Sequence, residues 1–173
     1  MASPTYTAKK GNYEEFLEVF DPEVNDPTDM LFNGLTNKDP ATRAAICNDM
    51  LDRGADATVV DYGQNTLTLL LSHDELGDGD PALVQRLVDA GADVNFRESH
   101  GDTPIKLAVK IGAESDEQRR PIYEALFSKD VDLDEPSSVR NPKNKIGEWL
   151  RMCVDHQPEG LKALDEFLTA RGF

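Results

Sequence analysis

The sequence predicts an all-α fold of stacked helix-turn-helix units, and three observations carry that prediction. A Gly-Ala-Asp turn recurs, with Gly54 and Gly91 37 positions apart, and a weaker copy puts Asp130 in the glycine's place 39 positions further on. Four apolar residues precede each turn at a constant distance. They are Ile46, Cys47, Met50 and Leu51, then Leu83, Val84, Leu87 and Val88, then Ile122, Tyr123, Leu126 and Phe127. The spacing i, i+1, i+4, i+5 puts each set on one face of a helix. Finally, Asp-Pro-Ala opens two helical segments, at Asp39 and at Asp80. Self-similarity at such a period marks units that cannot bury an apolar face alone and must stack to form a core.

The units follow in order. Residues 1–25 read as an N-terminal cap, in which Lys9-Lys10-Gly11-Asn12 separates a stub helix from Tyr13, Phe16, Leu17 and Phe20. Residues 26–60 hold a helix that starts at the Asp39 cap, with Pro40 as its first residue, and ends at Gly54. Pro22–Asp26 before it is a worn version of the turn signal.

Residues 61–97 start a first helix after Gly63 with Asn65 as cap, and a second with Asp80 as cap and Pro81 first. In residues 98–134, Thr103 caps, Pro104 opens, and Ile105, Leu107 and Ala108 supply the buried side. Gly112 is expected to take the left-handed conformation that stops this helix. Residues 135–173 close the stack, with Ile146, Trp149 and Leu150 on one helix and Leu161, Leu164 and Leu168 on the last. Two charged stretches, Ser72–Asp80 and Ala113–Arg120, are expected to be loops between paired helices.

These residues have a relative. Gly101-Asp-Thr-Pro-Ile-Lys-Leu-Ala108, closed by Gly112, resembles the glycine, Thr-Pro-Leu-His-Leu-Ala and closing glycine of the ankyrin repeat, and Leu87–Asn95, "LVDAGADVN", resembles that repeat's end. The resemblance is clear over about residues 39–134. It implies an ankyrin-repeat solenoid with short hairpin-like loops, one domain of five units over residues 1–173. Two departures stand out. Thr68 and Lys106 replace the family's histidine, and the units exceed the usual length of roughly 33 residues.

The resemblance also implies where a partner would sit, on the hairpin tips and the inner face of the first helices. Those positions are Asp61, Tyr62, Gln64, Phe96, Ser99, His100 and Asp102 at the tips, with Thr68 and Lys106 on the helix face. Tyr62, Phe96 and His100 are the expected anchors, since exposed aromatic side chains on turns are frequent interface hot spots.

Charge narrows the partner. The chain carries 33 acidic and 18 basic residues, a net charge of -15, which opposes nucleic acid and anionic membrane surfaces and favours a basic protein. No run approaches the ~18 to 20 apolar residues of a membrane span. A cytoplasmic monomer is expected, with Cys47 and Cys153 as buried thiols rather than a disulfide.

No cofactor, metal site or catalytic group is expected. Asp74, Glu75, Asp78 and Asp80 lack the spacing and closing glutamate of a calcium loop. His73, His100 and His156 match no metal-ligand spacing. Ser72-His73-Asp74 are too close in sequence to form a catalytic triad, and Gly77–Asp80 lacks a phosphate-binding lysine. The leading expectation is therefore a non-enzymatic interaction module. The alternative is a dedicated immunity or inhibitor protein blocking the cationic cleft of a toxin or nuclease. An enzyme with its site in the inter-helix loops ranks last.

Overall fold

The computed structural model describes residues 1–173 and contains ten helices and one short hairpin. The helices are α1 (Pro4–Lys10), α2 (Tyr13–Val19), α3 (Pro27–Gly34), α4 (Pro40–Asp52), α5 (Thr66–Leu71), α6 (Asp80–Asp89), α7 (Pro104–Lys110), α8 (Asp116–Phe127), α9 (Ile146–His156) and α10 (Lys162–Thr169). Strands β1 (Val60–Asp61) and β2 (Gln64–Asn65) pair antiparallel, Val60 opposite Asn65 and Asp61 opposite Gln64. The fold is thus mostly helical, with the hairpin and two isolated bridges, Glu75 to Gly112 and Pro136 to Lys145, as its departures from all-α. No helix is long and apolar enough to cross a membrane.

Local chemistry sets most helix starts. Ser3, Asn12, Asp26, Asp39, Asn65 and Ser115 each accept a hydrogen bond from a backbone N–H in the first turn of the helix that follows. Such caps satisfy N–H groups that the helix itself cannot.

The helices pack in consecutive pairs, α1 on α2, α3 on α4, α5 on α6, α7 on α8 and α9 on α10. The second helices form a continuous row in which α2 touches α4, α4 touches α6, α6 touches α8 and α8 touches α10. The apolar sets read from the sequence fill this row. Ile46, Cys47, Met50, Leu83, Val84, Leu87, Ile122, Tyr123 and Leu126 are buried, while Leu51 packs at the core's margin. Leu161, Leu164 and Leu168 close the far end.

Buried polar bonds tie the pairs together. The Asn37 amide donates to the carbonyls of Ala8 (2.9 Å) and Gly11 (3.1 Å), and Arg43 Nη1 donates to the Asn37 carbonyl at 2.7 Å. Arg43 then reaches across to Asp80, Nη2 to Oδ2 at 2.6 Å and Nε to Oδ1 at 3.1 Å, with both side chains about 1% exposed. At the other end, Asp116 accepts from the Tyr123 hydroxyl at 2.7 Å and from the Leu164 N–H at 2.9 Å.

Several expectations fail here, each for a physical reason. Asp80 does not cap α6. Its carboxylate is spent on Arg43 and on the Gly77 N–H, and Gly79 occupies the cap position. Thr103 holds the cap position of α7 without a cap hydrogen bond, and its hydroxyl is buried with no partner.

Gly112 is not left-handed. The turn after α7 is extended at Ile111, and Gly112 instead joins the Ser72–Gly79 loop in a parallel bridge to Glu75. Its N–H donates to the Asp74 carbonyl at 2.9 Å, and a Cβ there would lie 2.7 Å from that same oxygen. Close approach, not chain reversal, requires the glycine. The expected loop Ala113–Arg120 is helical from Asp116 onward, because Ser115 caps α8 and the helix accommodates Pro121.

Candidate functional site

The candidate surface is built from the tips between helix pairs. At the first, Tyr62 (φ 48°) and Gly63 (φ 72°) both adopt positive φ between β1 and β2. Two positive φ values in a two-residue loop make a type I′ turn, whose twist matches the flanking strands. Glycine suits it, whereas a tyrosine in this region is strained. Tyr62 is also 86% exposed, so its ring gains little packing there to offset the strain.

The next tip packs directly on the first. The Ser99 N–H donates to the Gly63 carbonyl at 3.0 Å, and a Cβ on Gly63 would lie 2.8 Å from Ser99 Cβ. Glu98, 5% exposed, organises this junction. Its carboxylate accepts from Gln64 Nε2 (3.1 Å), from the Asp102 N–H (2.8 Å) and from His100 Nδ1 (2.8 Å). The last bond requires the proton on Nδ1 of His100. Burial alone would raise the Glu98 carboxyl pKa, but the bonds from Asp102, His100 and Gln64 outweigh it and hold it below the ordinary glutamate value.

Beyond Glu98, Asp102 lies between two ammonium groups, Lys110 Nζ at 2.7 Å and Lys106 Nζ at 3.1 Å. Burial again works against its ionisation, and the lysine bonds, Lys110 first, overcome it and lower its pKa. Lys106 also donates to the Ser137 carbonyl and lies 4.9 Å from the Trp149 ring centroid. Arg97 bridges the Gly101 and Pro136 carbonyls at 2.8 and 2.6 Å. A cleft of about 680 Å³ runs along this region, lined among others by His100, Asp102, Lys106, Lys110 and Arg140.

The expected contact residues therefore separate. Asp61, Tyr62, Ser99 and His100 are exposed, and Gln64 and Asp102 are partly so. Thr68 and Lys106 do not present an open helix face. Thr68 is fully buried in a reciprocal cap with Asn65, and Lys106 is 6% exposed because Ser137, Asp102 and Trp149 enclose it. Phe96 is half-buried and does not stand out as an anchor. Glu98 and Arg97 went unread in the sequence, since a buried glutamate is indistinguishable by type from the many exposed ones, and Trp149 was read only as part of the closing unit's apolar set. No three of the His, Cys, Asp and Glu side chains converge in a metal-ligand cluster. Both cysteines are free, Cys47 buried and Cys153 half-buried.

No protein-family model matches the chain, and no curated protein matches it. A solved structure described as that of a functionally unknown protein from Leptotrichia buccalis C-1013-b is similar over 99% of this chain and 95% of its own length, with a TM-score of 0.76 and 19% sequence identity. The two share their fold across nearly their whole lengths.

Proposed function

We propose that this chain is a stack of ankyrin-type units that works in the cytoplasm as a non-enzymatic monomer, binding a basic protein along its hairpin tips. The observation that carries the reading is Tyr62. A large aromatic side chain held 86% exposed on a strained backbone, where glycine would be easier, is explained by a task outside the chain's own packing. The Thr-Pro and Gly-Ala-Asp motifs and the five consecutive helix pairs support the repeat assignment. Exposed aspartates at each tip, Asp56 and Asp61, then Asp93, then Asp132 and Asp134, supply the field that would steer a cationic partner. Thr68 and Lys106, which are enclosed, drop out of the contact surface together with half-buried Phe96 and with Asp102, whose carboxylate is held by two lysines, leaving Asp61, Tyr62, Gln64, Ser99 and His100.

A photo-crosslinking amino acid at position 62, with one at exposed Glu159 as control, tests the proposal in cells. The expected result is a defined adduct from position 62 that weakens as salt rises, with none from position 159. No adduct from position 62, or the same adduct from both positions, overturns it.

A further inference from the structure

A second concavity adjoins the tip cleft at Lys110 and extends from it into a gap beside α7 and α9. It measures about 530 Å³, within the range of small-molecule sites. Val109, Trp149, Met152, Cys153 and Leu161 form its apolar lining. Trp149, Met152, Cys153 and His156 recur at i, i+3, i+4 and i+7, so one face of α9 turns into the gap. α9 packs on α10, with Trp149 and Cys153 partly buried against the core and Met152 48% exposed over the gap.

The polar lining consists of Lys110, Arg119, His156 and Gln157, without a single carboxylate, in a protein of net charge -15. The charge at its upper edge is not cancelled by neighbours. Lys106 and Lys110 share the one carboxylate of Asp102, leaving an uncompensated positive charge over the Trp149 ring, with the two ammonium groups 4.9 and 5.7 Å from its centroid. Lys110 Nζ spends one donor on Asp102 and has two left. His156 Nδ1 lies 2.8 Å from the Met152 carbonyl and must donate to it, which leaves Nε2 open.

We propose that this slot binds a free small molecule bearing one carboxylate on an apolar body, the carboxylate on Lys110 and the body between Trp149, Met152 and Leu161. This proposal is independent of the tip reading and uses none of its contact residues. Trp149 is the only tryptophan in the chain, so its fluorescence reports occupancy directly. Titrating the full chain with decanoate below its micelle concentration should give a saturable, one-to-one change in that fluorescence and protect Cys153 from a thiol reagent. Decan-1-ol should bind more weakly, and decyltrimethylammonium should not bind.

Lys110→Gln should weaken decanoate roughly tenfold, the loss of one charge-assisted bond. Met152→Glu, an exposed position where the fold tolerates a charge, should abolish binding and decides the matter if Lys110→Gln perturbs folding. A silent Trp149, equal response to all three probes, or unchanged affinity in both variants overturns the proposal. Tighter binding of an acidic, phenylalanine-containing peptide than of decanoate also overturns it, by making the slot a protein-docking site.

Discussion

Single residues here carry conflicts that the rest of the molecule sustains. Tyr62 sits in left-handed backbone at a cost that glycine does not bear. Tyr62→Gly should therefore leave stability unchanged or raise it by up to about 1 kcal/mol in urea unfolding, while weakening recovery of the partner in an affinity pull-down. A clear loss of stability would mean that the ring packs usefully in the free protein. Thr103 buries a hydroxyl with no partner, so Thr103→Val, which keeps the shape and removes the orphan, should stabilise by about 1 kcal/mol in the same assay.

His73 adds a pH dependence. Burial pushes its imidazole below the ordinary value near 6.5, more strongly than the 2.7 Å bond to the Leu35 carbonyl raises it. The unfolded chain then binds a proton more readily than the folded one. Stability is complete above about pH 6.5 and falls as pH drops toward the folded pKa. Denaturant midpoints measured from pH 7 to pH 5 should decline in the wild type and decline less in His73→Gln.

At the scale of elements, the apolar sets and the Asp39 and Asn65 caps were legible because they follow from period and local bonding alone. Leu87, fully buried in α6, should lose about 2 to 5 kcal/mol on conversion to Ala, whereas Glu75→Ala, an exposed side chain, should change stability by less than about 0.5 kcal/mol. What could not be read was anything fixed by a distant partner. Asp80 looks like a cap until Arg43, 37 positions earlier, claims it. Gly112 looks like a stop until the Asp74 carbonyl approaches it. The run of charges before Pro121 looks like a loop because the helix it belongs to exposes one face to water. The same limit explains the site. Tyr62 and His100 are at exposed turns and could be picked out locally, but the burial of Thr68 and Lys106 depends on contacts that composition does not reveal.

For the whole molecule, charge is the dominant long-range term. An excess of fifteen negative charges on 173 residues repels itself in the folded state. Raising salt shrinks the screening length from about 30 Å at 0.01 M to about 10 Å at 0.1 M, so the thermal midpoint should rise with NaCl. A falling midpoint would show that ion pairs such as Arg86–Asp52 and Arg120–Glu166 outweigh the repulsion.

The Arg43–Asp80 pair bears on how the chain is made. Arg43 leaves the ribosome well before its carboxylate does, and until then α4 cannot take its final place without burying a guanidinium that has no counter-ion, a state about 3 to 5 kcal/mol unfavourable. Synthesis thus imposes an order, in which the amino-terminal third waits for the middle of the chain before it sets. A released fragment that ends near residue 60 and lacks Asp80 should leave α4 open to proteases, and one that extends past α6 should protect it more.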